Sequence, residues 1–346
     1  MGVAVGHPER GGRGVAFAFD PGPRPSGWCT IGTLSRGWRS AWRTVSHRPN
    51  HPPSTFSNRS YDSKVVSELA WRIGDRDLDC GERTLVMGIL NVTPDSFSDG
   101  GRYLDHGAAV ARGIEMVDEG ADLVDVGGES TRPGSDPVSP DEERDRVVPV
   151  IETLAAKVPV PISVDTRKPA VARAALEAGA LIVNDISGAR DPEMFAVARE
   201  AGAGMVLMHM KGEPKSMQVA PHYDDVVAEV HEYLRERIEA AEFAGIAPDR
   251  LCVDPGIGFG KDLQQNLTLI HHVDALLDLG RPVLVGPSRK RFIGALLDLP
   301  DDERIEGTAG AVAWLVARGA HIVRVHDVRE MIRVVRVVDA IARAGR

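Results

Sequence analysis

"RLCVDPGIGFGKD" (250–262) joins an apolar run to an aspartate, three alternating glycines and a lysine. A phosphate-cradling loop needs G-x-x-x-x-G-K followed by Ser or Thr, but Lys261 is followed by Asp262 and the glycines stand too close together. A dinucleotide fingerprint needs G-x-G-x-x-G at the start of a helix, whereas Gly256, Gly258 and Gly260 occupy alternate positions. The remaining reading is a strand that ends at Asp254, followed by a glycine loop free to fold over something beside it. The fold then turns on what the other strand ends carry.

From about residue 82 onward the chain repeats a short apolar run, a polar or glycine-rich turn and an amphipathic stretch. The runs are "TLVMGILN" (84–91), "ADLVDVGG" (121–128), "VPISVDT" (160–166), "ALIVNDISG" (180–188), "GMVLMHM" (204–210), "RLCVDPG" (250–256), "PVLVGPS" (282–288) and "HIVRVHD" (321–327). Continuous apolar strands alternating with helices predict a parallel sheet buried on both faces. Eight such units match a closed (β/α)8 TIM barrel of the α/β class, with a doubly wound open sheet as the competing architecture. "SPDEERDRVVPVIETLAAKV" (139–158) reads as one of the helices, with Ser139 as N-cap, Pro140 in the first turn and Glu142 completing a capping box. The stretch from Tyr223 sets Val226, Val230, Ile238 and Phe243 among charged residues and stops at Gly245 and Pro248.

The chain has 346 residues, 43% hydrophobic and 26% charged, the composition of a soluble globular protein with room for a large core. Its formal charge of −9 hides an asymmetry, because residues 1–60 hold eight arginines against one Glu and one Asp. The body is therefore acidic, which argues against nucleic acid as a partner. No apolar run reaches the ~20 residues of a membrane helix. Cys29, Cys80 and Cys252 lie far apart without a CxxC pair, so neither a disulfide framework nor a structural zinc site is expected and the setting reads as cytoplasmic. Residues 1–62, rich in Arg, Gly and Pro, read as a disordered extension, 63–81 as a lead-in and 82–346 as the barrel. An Arg-rich, acid-poor extension also has the character of an organelle transit peptide, and a start placed too far upstream would look the same.

The carboxyl ends of barrel strands face the active site. In chain order they carry Asn91; Asp125 with the turn Glu129-Ser130-Thr131-Arg132; Asp165; Asn184 and Asp185; His209; Asp254; Ser288-Arg289-Lys290; and Arg324 with His326. A single Asp or Asn after a strand is more often a turn former or helix cap, and His209 between two methionines reads equally well as a core histidine. Convergence on one barrel mouth changes that balance. Asp165, Asn184 and Asp254 together suit a flat heterocycle bearing amino, ring N–H and carbonyl groups. Lys290 could donate to the same ring while Arg324 stacks on its face. Arg324 and His326, with Ser288 nearby, stand where such barrels commonly bind phosphate. Asn91 and Arg132 could reach the same anion, Asn91 as an oxygen ligand for magnesium.

Eight motifs, one per strand and in order, resemble the dihydropteroate synthase family: "MGILNVTPDSFSDGG" (87–101), "DVGGESTRPG" (125–134), "SVDT" (163–166), "VNDISG" (183–188), "LMHM" (207–210), "DPGIGFGK" (254–261), "SRKRFIG" (288–294) and "RVHDV" (324–328). The resemblance implies condensation of (7,8-dihydropterin-6-yl)methyl diphosphate with 4-aminobenzoate, giving 7,8-dihydropteroate and diphosphate. It implies that Asp165, Asn184, Asp254, Lys290 and Arg324 hold the pterin, and that Asn91, Arg132, Arg324 and His326 handle a magnesium-bound diphosphate. Phe97, Thr131, Pro133, Phe259 and Ser288 would wall the 4-aminobenzoate pocket, closed by loops at 92–101 and 129–135. Asp254, Lys290, Arg324 and His326 would be the catalytic set, Mg2+ the cofactor, and a homodimer the assembly. Two rivals share part of the pattern. A corrinoid-directed methyltransferase barrel would keep the polar set of strands 3, 4 and 6 without needing "STRPG", "SRK" and "RVHD". A paralogue that binds pterin without turnover would keep the fold alone.

Overall fold

The computed structural model describes residues 69–93, 106–130, 136–213 and 215–344. All eight expected runs form strands: β3 (Leu85–Asn91), β4 (Leu123–Gly127), β5 (Ile162–Asp165), β6 (Ile182–Asp185), β7 (Gly204–Met208), β8 (Leu251–Asp254), β9 (Leu284–Val285) and β10 (Ile322–Val325). From β8 through β3 and β10 to β9 each strand pairs in parallel with its neighbour. Val253 bridges Val283 just before β9, so the last gap is joined and the open-sheet alternative is excluded. Every residue of β4, β6, β7 and β8 is buried, as strands covered on both faces require. The helices form the outer layer, and their apolar stripes pack on the outward-facing valines of the strands.

The segment before the barrel has a structure of its own. Ala70–Ile73 (β1) and Arg76–Asp79 (β2) form an antiparallel hairpin around Gly74, whose φ is +55°. Its inner face places Trp71 and Ile73, both fully buried, in one cluster with Leu85, Met87, Leu123, Ile182, Val206, Cys252, Leu284 and Ile322 from the barrel strands. Cys80 and Cys252 are both free thiols in this cluster. Trp71 Nε1 donates to the Arg250 carbonyl at 2.9 Å, satisfying the indole's polar edge. The hairpin thereby packs under the barrel against residues from seven of its strands.

Two expectations about the helices need correction. Ser139 does cap the helix Pro140–Lys157 (α2), its hydroxyl accepting from the Glu142 amide at 3.2 Å. The Glu142 carboxylate does not turn back to complete the box, because it pairs with Arg146 one turn on. A complete capping box stands instead at Asp262 and Gln265, opening the helix Leu263–His271 (α6). In Val226–Phe243 (α5), Val226, Val230 and Ile238 are buried but Phe243 is 96% exposed. It is the last residue before the chain leaves the helix, so it has rotated past the buried stripe. No helix among the described residues is long and apolar enough to cross a membrane.

Candidate active site

The strand ends meet as the topology requires. Asp165, Asn184, Asp254, Lys290, Arg324 and Phe259 line one cleft of about 330 Å3, measured with its open mouth. Gly256, Ile257, Met208, Ile186 and Gly286 complete its walls. Asp125, at mid-strand in β4 and fully buried, is the hub of the floor. One of its oxygens accepts from Asn184 Nδ2 at 2.9 Å and from Arg324 Nε at 2.6 Å. Arg324 Nη2 donates in turn to Asp165 at 2.6 Å. Arg324 thus bridges two carboxylates, and Asn184 is oriented with its amide nitrogen spent on Asp125. The Asn184 Oδ1 is buried and has no hydrogen-bond partner among the described residues, so the side chain offers an acceptor at the cleft.

The electrostatics follow from burial. Burial pushes the Asp165 carboxyl up to about 7, with Arg324 opposing and Asp125 reinforcing the rise. Burial also raises Asp254 to about 6, against the Gly256 amide, which donates to its Oδ1 at 2.7 Å. Lys290 is lowered to about 8 by burial and by the nearby Arg324 charge. Burial works against the Arg324 charge as well, but Asp125 and Asp165 outweigh it and its pKa is raised. The cleft therefore holds carboxyls and an ammonium that titrate close to neutrality, the pattern of a functional site rather than a surface ion-pair network.

Ser288 and His326 stand beside the strands that close the barrel. Ser288 is 4% exposed and faces His326, with Oγ and Nδ1 3.0 Å apart and the His326 amide donating back to Oγ at 3.2 Å. Burial, followed by the charges of Arg324 and Arg289, lowers His326 to about 3, so this imidazole is neutral. Arg289, between Ser288 and Lys290, has a positive φ of +55°. Its amide is held by Thr308 Oγ1 at 3.1 Å, and its guanidinium pairs with Asp327 after β10. Asn91 sits half-buried at the end of β3, beside Gly127 of β4. Phe97, Thr131, Arg132 and Pro133 lie outside the described residues.

Two residues, one in the floor of this site and one behind its glycine loop, were not assigned their roles from the sequence. Asp125 was visible only as one strand-end acid among many, and its role as hub depends on Asn184 and Arg324 arriving from β6 and β10. Lys261, considered only as part of a nucleotide motif, is 2% exposed. Its Nζ lies 2.9 Å from His209 Nδ1 and donates to the Gly256 and Phe259 carbonyls, each at 2.9 Å. His209 is accordingly a core histidine, lowered to about 2 by burial and the Lys261 charge.

With this geometry established, comparison with known proteins gives a consistent result. Residues 87–326 match the model of the family described as pterin binding enzyme. Dihydropteroate synthase of Synechocystis sp. is 47% identical over 273 residues, covering 78% of this chain and 94% of that protein. The structure of Xanthomonas albilineans dihydropteroate synthase with 4-aminobenzoic acid is 48% identical at a TM-score of 0.75, covering 80% of this chain and 98% of that one. A structure of the same enzyme in complex with 7,8-dihydropteroate is 46% identical at a TM-score of 0.72, covering 79% and 99%. An eight-stranded barrel with this floor of Asp125, Asp165, Asn184, Asp254, Lys290 and Arg324, at such identity over nearly the whole length of its relatives, belongs to the dihydropteroate synthase family of pterin-binding transferases.

Proposed function

We propose that this protein joins (7,8-dihydropterin-6-yl)methyl diphosphate to 4-aminobenzoate, releasing diphosphate and forming 7,8-dihydropteroate. The observation that carries this reading is the floor of the cleft, where Asp254, Asp165 and the unpartnered Asn184 Oδ1 present acceptors facing Lys290 and Arg324. A pterin edge supplies the amino and ring N–H donors that such acceptors need, and its carbonyl suits the Lys290 ammonium. Phe259, with Lys290 Nζ 4.1 Å from its ring centroid, offers an apolar wall for the second, aromatic substrate.

The bond between the pterin methylene and the diphosphate oxygen breaks with its electron pair leaving on diphosphate. Positive charge then spreads into the electron-rich ring, where the carboxylates of Asp254 and Asp165 favour it. The arylamine lone pair forms the new C–N bond, and the amine proton passes to solvent. Arg324, His326 and Arg132 would favour the departing anion, His326 as a neutral donor through Nε2. The chain contributes charge placement and positioning, without a covalent intermediate. Among the described residues no cluster of three or more His, Cys, Asp or Glu could hold a metal. Magnesium binds through few protein oxygens plus substrate phosphates, and Asn91, half-buried at the end of β3, is the residue that would supply one. Bound there, it would neutralise charge on the leaving diphosphate.

The test is formation of 7,8-dihydropteroate and diphosphate by the purified protein with magnesium, with and without 4-aminobenzoate. Joint formation only when the arylamine is present is expected. Pterin binding without product would favour the non-catalytic paralogue.

A further inference from the structure

The glycine loop after β8 is pressed against the segment that follows β7. A Cβ on Gly256 would lie 1.9 Å from the His209 carbonyl, and one on Gly260 would lie 2.2 Å from that of Lys211. Both glycines have positive φ, +65° and +61°, so close approach and backbone conformation each demand glycine. The loop's polar groups are engaged from several sides. Gly258 N donates to Asn266 Oδ1 at 2.6 Å, Gln218 Nε2 to the Gly258 carbonyl at 2.8 Å, and Tyr223 to the Gly260 carbonyl at 2.9 Å. At the centre sits the buried Lys261 ammonium, which does not line the cleft.

We propose that Lys261 is a positioning residue whose ammonium, held by the neutral Nδ1 of His209, ties the end of β7 to the glycine loop and thereby fixes the Phe259 ring against Lys290. Three acceptors at 2.9 Å, from His209, Gly256 and Phe259, match the three donors of one ammonium. The Phe259 carbonyl is held directly, while its ring packs with Ile186, Met208, Met210 and Met217 and lies beneath Lys290 Nζ. The His209 ring is fixed in turn by an edge-on contact with Tyr233, centroids 4.9 Å apart. The charged groups facing the pair are Asp254, Lys290 and Lys211 around Lys261, with Lys211 and Arg190 around His209. Burial opposes the ammonium, Asp254 favours it and Lys290 and Lys211 oppose it, so Lys261 is lowered to about 7. Removing the bridge frees the loop that carries Phe259, so the aromatic substrate's pocket should suffer more than the pterin's polar floor. Of that floor Asp254 adjoins this loop, while Asp165, Asn184 and Arg324 stand on β5, β6 and β10.

The functional part of this inference rests on the assignment of Phe259 to the 4-aminobenzoate pocket. The experiment compares wild type with Lys261→Met, His209→Leu and His209→Gln, the last keeping an acceptor near the ring nitrogen. Steady-state kinetics are expected to show the KM for 4-aminobenzoate raised roughly tenfold in Lys261→Met and His209→Leu, with kcat changed much less. His209→Gln should stay within about twofold of wild type. An unchanged KM in folded Lys261→Met, or loss of kcat alone, would overturn the proposal. If Lys261→Met does not fold, the contrast between the two His209 variants decides. Amide exchange at Gly258 and Phe259 is read in parallel, with protection expected to fall in Lys261→Met and His209→Leu but not in His209→Gln. If wild type makes no dihydropteroate, the functional reading fails separately, and retained protection in Lys261→Met or in His209→Leu overturns the clamp on its own.

Discussion

Asp254→Asn separates what a side chain does for the fold from what it does for the substrate. The Asp254 Oδ1 accepts from the Gly256 amide at 2.7 Å, and an asparagine oxygen can occupy the same place. That bond fixes the side chain, so the new amide nitrogen replaces the oxygen that faces the cleft. A donor then meets the pterin's own donors. The loss of a charge-assisted hydrogen bond, about 1.5–3 kcal/mol, adds to a buried unsatisfied donor at about 1–3 kcal/mol. Together these predict a fall in kcat/KM for the pterin diphosphate of roughly 10²- to 10⁴-fold. Stability should move the other way. A buried carboxyl lifted from 3.8 to about 6 makes its ionised form cost the fold about 3 kcal/mol once the pH exceeds both values. The amide carries no such cost, so at pH 7.5 Asp254→Asn should unfold a few degrees higher than wild type. Product formation and thermal unfolding on the same preparation provide the check. Near-normal turnover in a folded variant would remove Asp254 from the mechanism, and a lower Tm would show that its burial had been misjudged.

Arg324→Met leaves Asp125 and Asp165 without the partner now 2.6 Å from each, so denaturant unfolding should show a loss of about 3–5 kcal/mol, the cost of breaking a buried ion pair from one side. The carboxyls of Asp254 and Asp165, raised to about 6 and about 7, present acceptors at both oxygens and a charge to the pterin donors only when ionised. The pH profile of kcat/KM for the pterin should therefore fall on its acid side through that range, and Asp254→Asn should alter this limb. Deprotonation of Lys290, lowered to about 8, should give the alkaline limb, absent in Lys290→Met. A sulfonamide should compete with 4-aminobenzoate for the wall made by Phe259, and inhibition indifferent to added 4-aminobenzoate would contradict that pocket assignment.

The barrel was legible because burial on both faces leaves an uninterrupted apolar run at each strand, and eight such runs at helix-length spacing admit few architectures. The hairpin before it escaped notice because its strands are four residues long and "AWRIGDRDLD" (70–79) is largely charged. The signal was present all the same: Trp71 and Ile73 stand on either side of Arg72, then a glycine turn follows. Local pattern was enough for strands that satisfy their own burial rule. It was weaker for an element whose burial depends on the floor of a barrel far along the chain.

The site divides along the same physical line. Asp165, Asn184 and Asp254 could be nominated individually because Asp and Asn are poor strand residues, and Lys290 and Arg324 because they carry charge at or just beyond the last two apolar runs. Which of them touch is a matter of ring closure, which brings Arg324 to Asp125 across 199 positions of sequence. Lys261 shows the limit most clearly. Beside glycines it looks like a phosphate ligand by composition, yet its partner His209 stands 52 residues earlier and it does not line the cleft. A lysine that holds three backbone or ring acceptors while 2% exposed has almost no capacity left to bind a substrate anion. Its contribution must therefore pass through the loop it restrains, and the chemistry of that loop belongs to Asp254 at one end and Phe259 near the other.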